Sequence, residues 1–294
     1  IGAQYIIQRD QNMVNQGEYM NPLVGAYLYP RGLNWKDARY FEQWDEDRDI
    51  LTASPFPEGE YTMQNPYWVA YRNIRTSERK RFIVSTGISY IIKEWSKSEK
   101  WDIGARYRID RTSQEYKDKR FVGTIATLLD GGTKNGFFGL NTGSDMQNYV
   151  DVLTNFNKNF GEDWGLAANV GASLSDQKND ILYNQGPLRD DGLPNIFNIQ
   201  NIEQSAHKAQ FYQEGWHEQT QSIFGSVEVN WKRLLYLTVT GRNDWASQLA
   251  GSKNKSFFYP SVGLTGIITD MLSESVKNSL YNTLSFAKVR LAFA

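Results

Sequence analysis

Trp101-Asp102-Ile103-Gly104-Ala105-Arg106-Tyr107-Arg108-Ile109-Asp110 decides the reading of this chain. The odd positions are Trp, Ile, Ala, Tyr and Ile; the even ones are Asp, Gly, Arg, Arg and Asp. Strict alternation puts one apolar and one charged face on a strand. A half-buried strand of a soluble core does the same, and length separates the two cases. About ten residues at ~3.4 Å each, tilted about 40°, rise roughly 25 Å, the height of the apolar band of an outer-membrane barrel. Trp95 and Trp101 flank the preceding turn, where an interfacial aromatic girdle belongs.

Outward from this strand, the pattern repeats as hairpins. Before it, Phe82, Val84, Ile88, Tyr90 and Ile92 oppose Arg81, Ser85, Gly87, Ser89 and Lys93, with Ile83 and Ile91 as exceptions. A second hairpin pairs 150–157 with 165–175 around Gly161-Glu162-Asp163. A third pairs 223–231 with 235–242 around Lys232-Arg233, and a last pair is expected at 257–268 and 284–293. Between these runs, 112–147 and 176–218 read as long polar connections, and 269–283 as a polar link with room for one helical turn. Residues 1–80 read as a loop region leading into the wall, with turn signals at Asn21-Pro22-Leu23, Tyr29-Pro30-Arg31-Gly32 and Asn65-Pro66-Tyr67-Trp68.

Long and short connections thus alternate, as in a bacterial barrel with long extracellular loops and short periplasmic turns. No constant blade repeat supports a propeller, and strands and connections are long for a sandwich. The expected fold is all-β: an antiparallel transmembrane β-barrel wall, with about eight strands over 81–294. The pattern is unfinished at both ends, which reads as a segment of a larger barrel.

Composition fits this and excludes other classes. Aromatics reach 14%, with 9 Trp, 17 Tyr and 15 Phe, in keeping with interfacial girdles. The negative mean hydropathy is no obstacle, because only alternate residues of a barrel strand face lipid. No apolar run reaches the ~18 residues of a membrane helix. A net charge of -1 gives no field for nucleic acid. The chain has no cysteine, hence no disulfide, thiolate chemistry or cysteine-ligated metal.

Candidate chemistry is sparse. Asp45, Glu46, Asp47 and Asp49 form an acidic cluster, but Ile50 stands where a calcium loop needs Gly, so a solvated loop is the reading and no metal is expected. His207 and His217, the only histidines, fall in the polar stretch 176–218 and are expected as loop residues. No partner can be placed beside either, no carboxylate pair is defined, and phosphate-binding glycine motifs are absent. No enzyme activity or cofactor is expected. Arg106, Arg108, Asp110, Glu228, Lys288 and Arg290 lie on the polar face, where ion pairs of a wet wall are the first expectation and contact with a polar solute the second. Trp35, Tyr40, Phe41 and Trp44 are loop aromatics, expected to pack on one another or to meet a sugar or a partner protein.

A family resemblance rests on several motifs. They are Asn21-Pro22-Leu23-Val24-Gly25-Ala26-Tyr27-Leu28-Tyr29-Pro30-Arg31-Gly32, Asn65-Pro66-Tyr67-Trp68, and Phe156-Asn157-Lys158 with Phe160-Gly161-Glu162-Asp163-Trp164. Leu237-Thr238-Val239-Thr240-Gly241-Arg242-Asn243-Asp244-Trp245, Phe258-Tyr259-Pro260-Ser261-Val262 and Leu284-Ser285-Phe286 complete the set. In this order they resemble SusC/RagA-type TonB-dependent transporters of the Bacteroidota outer membrane. The resemblance implies a barrel of about 22 strands around an N-terminal plug. It also implies a SusD-like surface lipoprotein as lid, energy from TonB, and import of an oligosaccharide or peptide. The chain would be a central stretch of that barrel, without the plug, TonB box or closing strand. Trp35, Tyr40, Trp44, Arg106 and Arg108 would be its candidate contacts to substrate or partner. A passive porin-like channel, a secreted glycan-binding β protein and an outer-membrane enzyme remain the alternatives.

Overall fold

The computed structural model describes residues 1–13, 20–56, 63–125, 134–207, 209–273, 276 and 284–294. Nine strands form one antiparallel sheet. They are β1 (Gly2–Gln11), β4 (Asn73–Ser96), β5 (Glu99–Arg120), β6 (Phe137–Phe160), β7 (Trp164–Pro187), β8 (Gln210–Trp231), β9 (Leu235–Ala246), β10 (Phe257–Ile267) and β11 (Lys288–Phe293). Each pairs with the next in that order, a barrel wall laid open at β1 and β11. The intervening segment holds helix α1 (Pro22–Leu28), hairpin β2 (Glu42–Asp45) with β3 (Ile50–Ala53), and helix α2 (Pro66–Arg72).

The hairpins form where alternation placed them, but the strands are about twice as long. β4, β6 and β7 run 24 residues, and β5 and β8 run 22. Much of 112–147 and 176–218 is therefore ladder, leaving connections of 121–136 and 188–209. The β5 extension is polar on both faces, and those of β6, β7 and β8 mix apolar and polar residues without regular alternation, which hides them from a periodicity reading. Their backbone groups are still satisfied across the sheet, and cross-strand pairs such as Asn141 to Gln185 at 2.8 Å reinforce them. The boundary expected at residue 81 moves to 73, and 1–80 is not all loop, since β1 pairs with β4 from Gly2 opposite Ser85 to Gln11 opposite Thr76.

Register carries the alternation across the whole wall. Ile88, Ala105, Val152, Ala172 and Ile223 lie opposite one another in succession, as do Val229, Leu237, Leu264 and Leu291. Nothing covers this face among the described residues: Ile88 is 76% exposed, Val170 56% and Leu291 67%. The buried apolar side chains instead sit at the loop end, where Trp68, Val69, Phe56 and Val122 are each buried and Phe138, Leu188 and Ile202 form a cluster.

At the other end the turns are tight. Lys232 and Arg233, in the three-residue turn between Trp231 and Leu235, both take positive φ, 51° and 55°, and Gly161 does so at 68°. Aromatics and lysines collar these turns. Trp95 meets Phe156 edge-on at 5.7 Å, Lys158 lies over Trp95 at 4.5 Å, and Lys232 lies over Trp231 at 5.3 Å. The link 268–287 also falls at this end and breaks the long-short rule. It opens with helix α3 (Ile268–Met271), the one turn of helix expected there.

The two Asn-Pro turn signals start helices. Asn21 and Asn65 cap α1 and α2, accepting from the amides of Leu23 at 3.0 Å and Tyr67 at 2.9 Å, and proline takes the first helical position. The described residues between Met20 and Arg72, 20–56 and 63–72, thereby form a cap against the 121–125 connection. Fully buried Trp68 donates Nε1–H to Thr124 at 3.0 Å, and Thr124 donates to Asn73 at 2.8 Å. Gly123, at φ 95°, passes so close to β3 that a Cβ would lie 2.5 Å from the Ala53 nitrogen. Gly123→Ala should therefore undock the cap, at a cost of roughly 1–3 kcal/mol. Limited proteolysis within 20–72 should rise while the strand circular dichroism signal stays; unchanged proteolysis would refute that packing.

Candidate functional site

The polar face of the sheet is the candidate site. Register sets Gly87, Arg106, Asp151, Ser173, Ser222 and Asp244 in one row, with Ser85, Arg108, Tyr149, Ser175 and Thr220 in the row above. Side chains lock along these rows. Arg106 donates Nε–H to both oxygens of Asp151, at 3.0 and 3.1 Å. Arg81 forks onto Asp110 at 2.9 and 2.6 Å, and Arg108 adds a third bond to the same carboxylate at 2.8 Å. Arg242 bridges Ser222 at 3.0 Å and Asp244 at 2.7 Å.

Exposure divides these pairs unevenly. The Asp151 and Asp110 side chains are 1% and 8% exposed, whereas Arg106 and Arg108 are 68% and 47% exposed. The carboxylates are sunk in the wall and the guanidinium groups lie over them. Three arginines against two carboxylates leave an excess of positive charge, with donors still directed to solvent.

Above these rows, β4 to β7 enclose a recess of about 330 Å³ bordered by Arg79, Gln114, Tyr116, Asn141, Asp145 and Tyr183. Arg79 has no ion-pair partner among the described residues. The recess offers amides, hydroxyls, one cation and one carboxylate, a lining suited to a polar solute.

The loop aromatics lie elsewhere, in the cap. Trp35 opens a short 3-10 turn, Trp35–Arg39, capped by Asn34. It meets Tyr29 edge-on at 5.0 Å and lies 6.5 Å from both Phe56 and Tyr67, so its ring partners are other aromatics of the cap and not Tyr40, Phe41 or Trp44, on which it was expected to pack. Phe41 stacks on Tyr67 and Tyr71. Tyr40 and Trp44 point outward, 78% and 56% exposed. The five candidate residues thus form two groups, Arg106 and Arg108 on the wall and Trp35, Tyr40 and Trp44 on the cap. Sequence reasoning missed Arg79, Tyr116 and Tyr183, because no alternation marks the strand extensions.

The acidic cluster forms the β2–β3 turn. Asp45 accepts from the Arg48 amide at 3.2 Å, and the Arg48 side chain reaches Asn135 and the Lys134 carbonyl. No three His, Asp or Glu side chains converge as metal ligands among the described residues. His207 is in a loop as expected. His217 is not: it lies within β8, on the outward face, 2.8 Å from Asp176. The strand extension carried it out of the expected connection.

The 188–209 connection packs Leu188 and Ile202 on Phe138, and Phe197 meets Phe121 edge-on at 4.9 Å. Arg189 holds the Asp191 carboxyl below the usual range, and the Ser205 hydroxyl and amide do so for Glu203. Depressed carboxylate values stabilise above the unfolded pKa and lose that contribution as pH falls through the folded one. Hydrogen exchange in 188–209, corrected for intrinsic rates, should therefore be constant from pH 8 to 5 and rise only below about pH 4. A rise between pH 7 and 5 would contradict this account.

No family model and no curated protein matches the sequence. Solved structures do match. The RagAB peptide importer in its open-open state aligns at a TM-score of 0.59 and 17% identity, over 82% of this chain and 24% of that chain. The sheet shares its fold with part of that importer. The closed-closed state of the same importer gives a TM-score of 0.56 at 17% identity, over 78% of this chain and 24% of that one. A further RagAB peptide transporter structure gives 0.59 at 16%, over 82% and 25%. The chain thus spans about a quarter of the importer chains it matches, and the all-β antiparallel wall expected from the sequence is the architecture found.

Proposed function

We propose that this chain is part of the wall of an outer-membrane, TonB-dependent importer of the SusC/RagA type. The supporting observation is the wall's two-sidedness: an uncovered apolar face on one side and rows of guanidinium groups over sunken carboxylates on the other. The apolar face meets outer-membrane lipid. The polar face lines the path of an oligosaccharide or peptide. A SusD-like lipoprotein covers the loop end, where Tyr40 and Trp44 are contact residues. TonB acts through a part of the intact protein outside this chain. No bond is broken, so no residue here is catalytic.

A soluble glycan-binding protein would need its apolar face buried, and the uncovered face in this sheet speaks against it. A passive channel shares the two-faced wall and differs in energy dependence. Uptake by cells carrying the intact protein should cease when TonB is removed; uptake that persists would favour the passive channel.

The wall arginines make the second test. Arg106→Gln with Arg108→Gln should lower uptake of a carboxylate-bearing solute about tenfold relative to a neutral one, equivalent to ~1.4 kcal/mol. Equal uptake of both solutes by the double variant and the parent would remove these arginines from the path.

A further inference from the structure

The outward face changes character just above its apolar band. Tyr5, Phe82, Arg111 and Met146 lie opposite one another in one register row, and Ile7, Lys80, Ser113 and Ser144 in the next row up. The row below is apolar from Ala3 through Val84 to Ile109. Between the two upper rows lies a recess of about 400 Å³, with Tyr5, Phe82 and Met146 on its lower edge and Lys80, Ser113 and Ser144 above. Arg111 stands within it.

Charge at this spot is unbalanced. Glu78 is bridged by Arg9 at 2.6 Å and by Lys80 at 2.5 Å, so one carboxylate serves two cations. Arg111 adds a third cation, and no carboxylate is paired with it among the described residues: Asp145, which also borders the recess, lies in the polar-face row of Thr112, and Asp180, opposite Ser144, accepts from Gln213 at 2.6 Å. The neighbouring Glu115 is taken by Lys117 at 2.7 Å. Two cations, two serine hydroxyls and an aromatic floor meet at the upper border of an uncovered apolar face.

We propose that this recess binds the phosphate-bearing headgroup of a membrane lipid, with Arg111 and Lys80 on the phosphate. Ser113 and Ser144 donate to its oxygens, and the acyl chain descends over Tyr5 and Phe82. This rests on the reading of the apolar face as lipid-facing. Continuity with that face selects a lipid as occupant, since a chain leaving the recess downward over β1, β4 and β5 meets Ala3, Val84 and Ile109 in the next row. A solute moving along the polar face does not meet it, because every side chain named here projects from the opposite face of the sheet. Cationic pockets at a membrane border are the expected complement of lipid phosphate.

The intact protein in lipid nanodiscs tests this by native mass spectrometry after detergent release. The probes are phosphatidic acid and diacylglycerol with the same acyl chains. The parent should retain phosphatidic acid about tenfold over diacylglycerol. Lys80→Gln with Arg111→Gln should cut that preference at least fivefold. Arg111→Lys should keep most of it, and Arg233→Gln, at the far end of the wall, should leave it unchanged. Equal retention of the two lipids, or an unaltered preference in the double variant, would overturn the assignment. So would full displacement by millimolar inorganic phosphate, which would mark a site for small anions. Flotation with vesicles is read in parallel. Protein that floats but shows no preference refutes this site alone, whereas protein that fails to float refutes the membrane reading and the lipid site together.

Discussion

Every strand of this sheet must satisfy its backbone by pairing with its neighbours while sending alternate side chains into two different surroundings. That constraint organises the rest of the structure. In hydrocarbon an unpaired amide or carbonyl costs several kcal/mol, so an unbroken ladder is the condition under which the apolar face, which nothing among the described residues covers, can meet lipid as proposed. A one-residue slip would exchange the faces and put Arg106 and Arg108 outside with Tyr107 and Ile109 inside. Long ladders with few irregularities hold the register, and aromatic and lysine side chains collar the tight turns at one end.

The polar face follows from the same constraint. Arginine and aspartate on adjacent strands face each other across one row, so Asp151 can sink into the wall only because Arg106 stands opposite to satisfy it. Breaking such a pair by removing one member strands the other, while the exposed guanidinium can still turn toward solvent. The wall therefore presents arginine to whatever fills the space beside it. The loop end is built differently. There buried side chains gather around Trp68 and around Phe138, with asparagines as caps and anchors, so the described residues of the cap and of the 188–209 connection are packed against the strand ends.

Much of this was legible in the sequence. The alternation at 101–110 carried the fold because its two faces contrast sharply. The strand extensions were not legible, since Thr112 to Arg120 is polar on both sides and looks like a loop to any periodicity argument. β1 was hidden for the converse reason: Tyr5, Ile6 and Ile7 are three apolar residues in succession and break the period. Asn-Pro reads equally well as a turn and as a capped helix start, and only the packing of Trp68 chose the helix. The partners of Arg106 and Arg108 were out of reach, because the 45-residue separation of Arg106 and Asp151 closes only once register is known. The resemblance to SusC/RagA-type transporters named the architecture, and the recess beside Arg79 emerged only with the ladder in place.

The most direct test uses the absence of cysteine from this chain. Single cysteines placed in turn at 103 to 108 of the intact protein, in lipid vesicles, would carry a nitroxide spin label. Its relaxation would be measured with oxygen, which concentrates in lipid, and with a water-soluble nickel chelate. Labels at Ile103, Ala105 and Tyr107 should respond to oxygen, and those at Gly104, Arg106 and Arg108 to nickel, in strict alternation. Nickel access at all six positions, or no alternation, would contradict a wall with one face in lipid and the other in water.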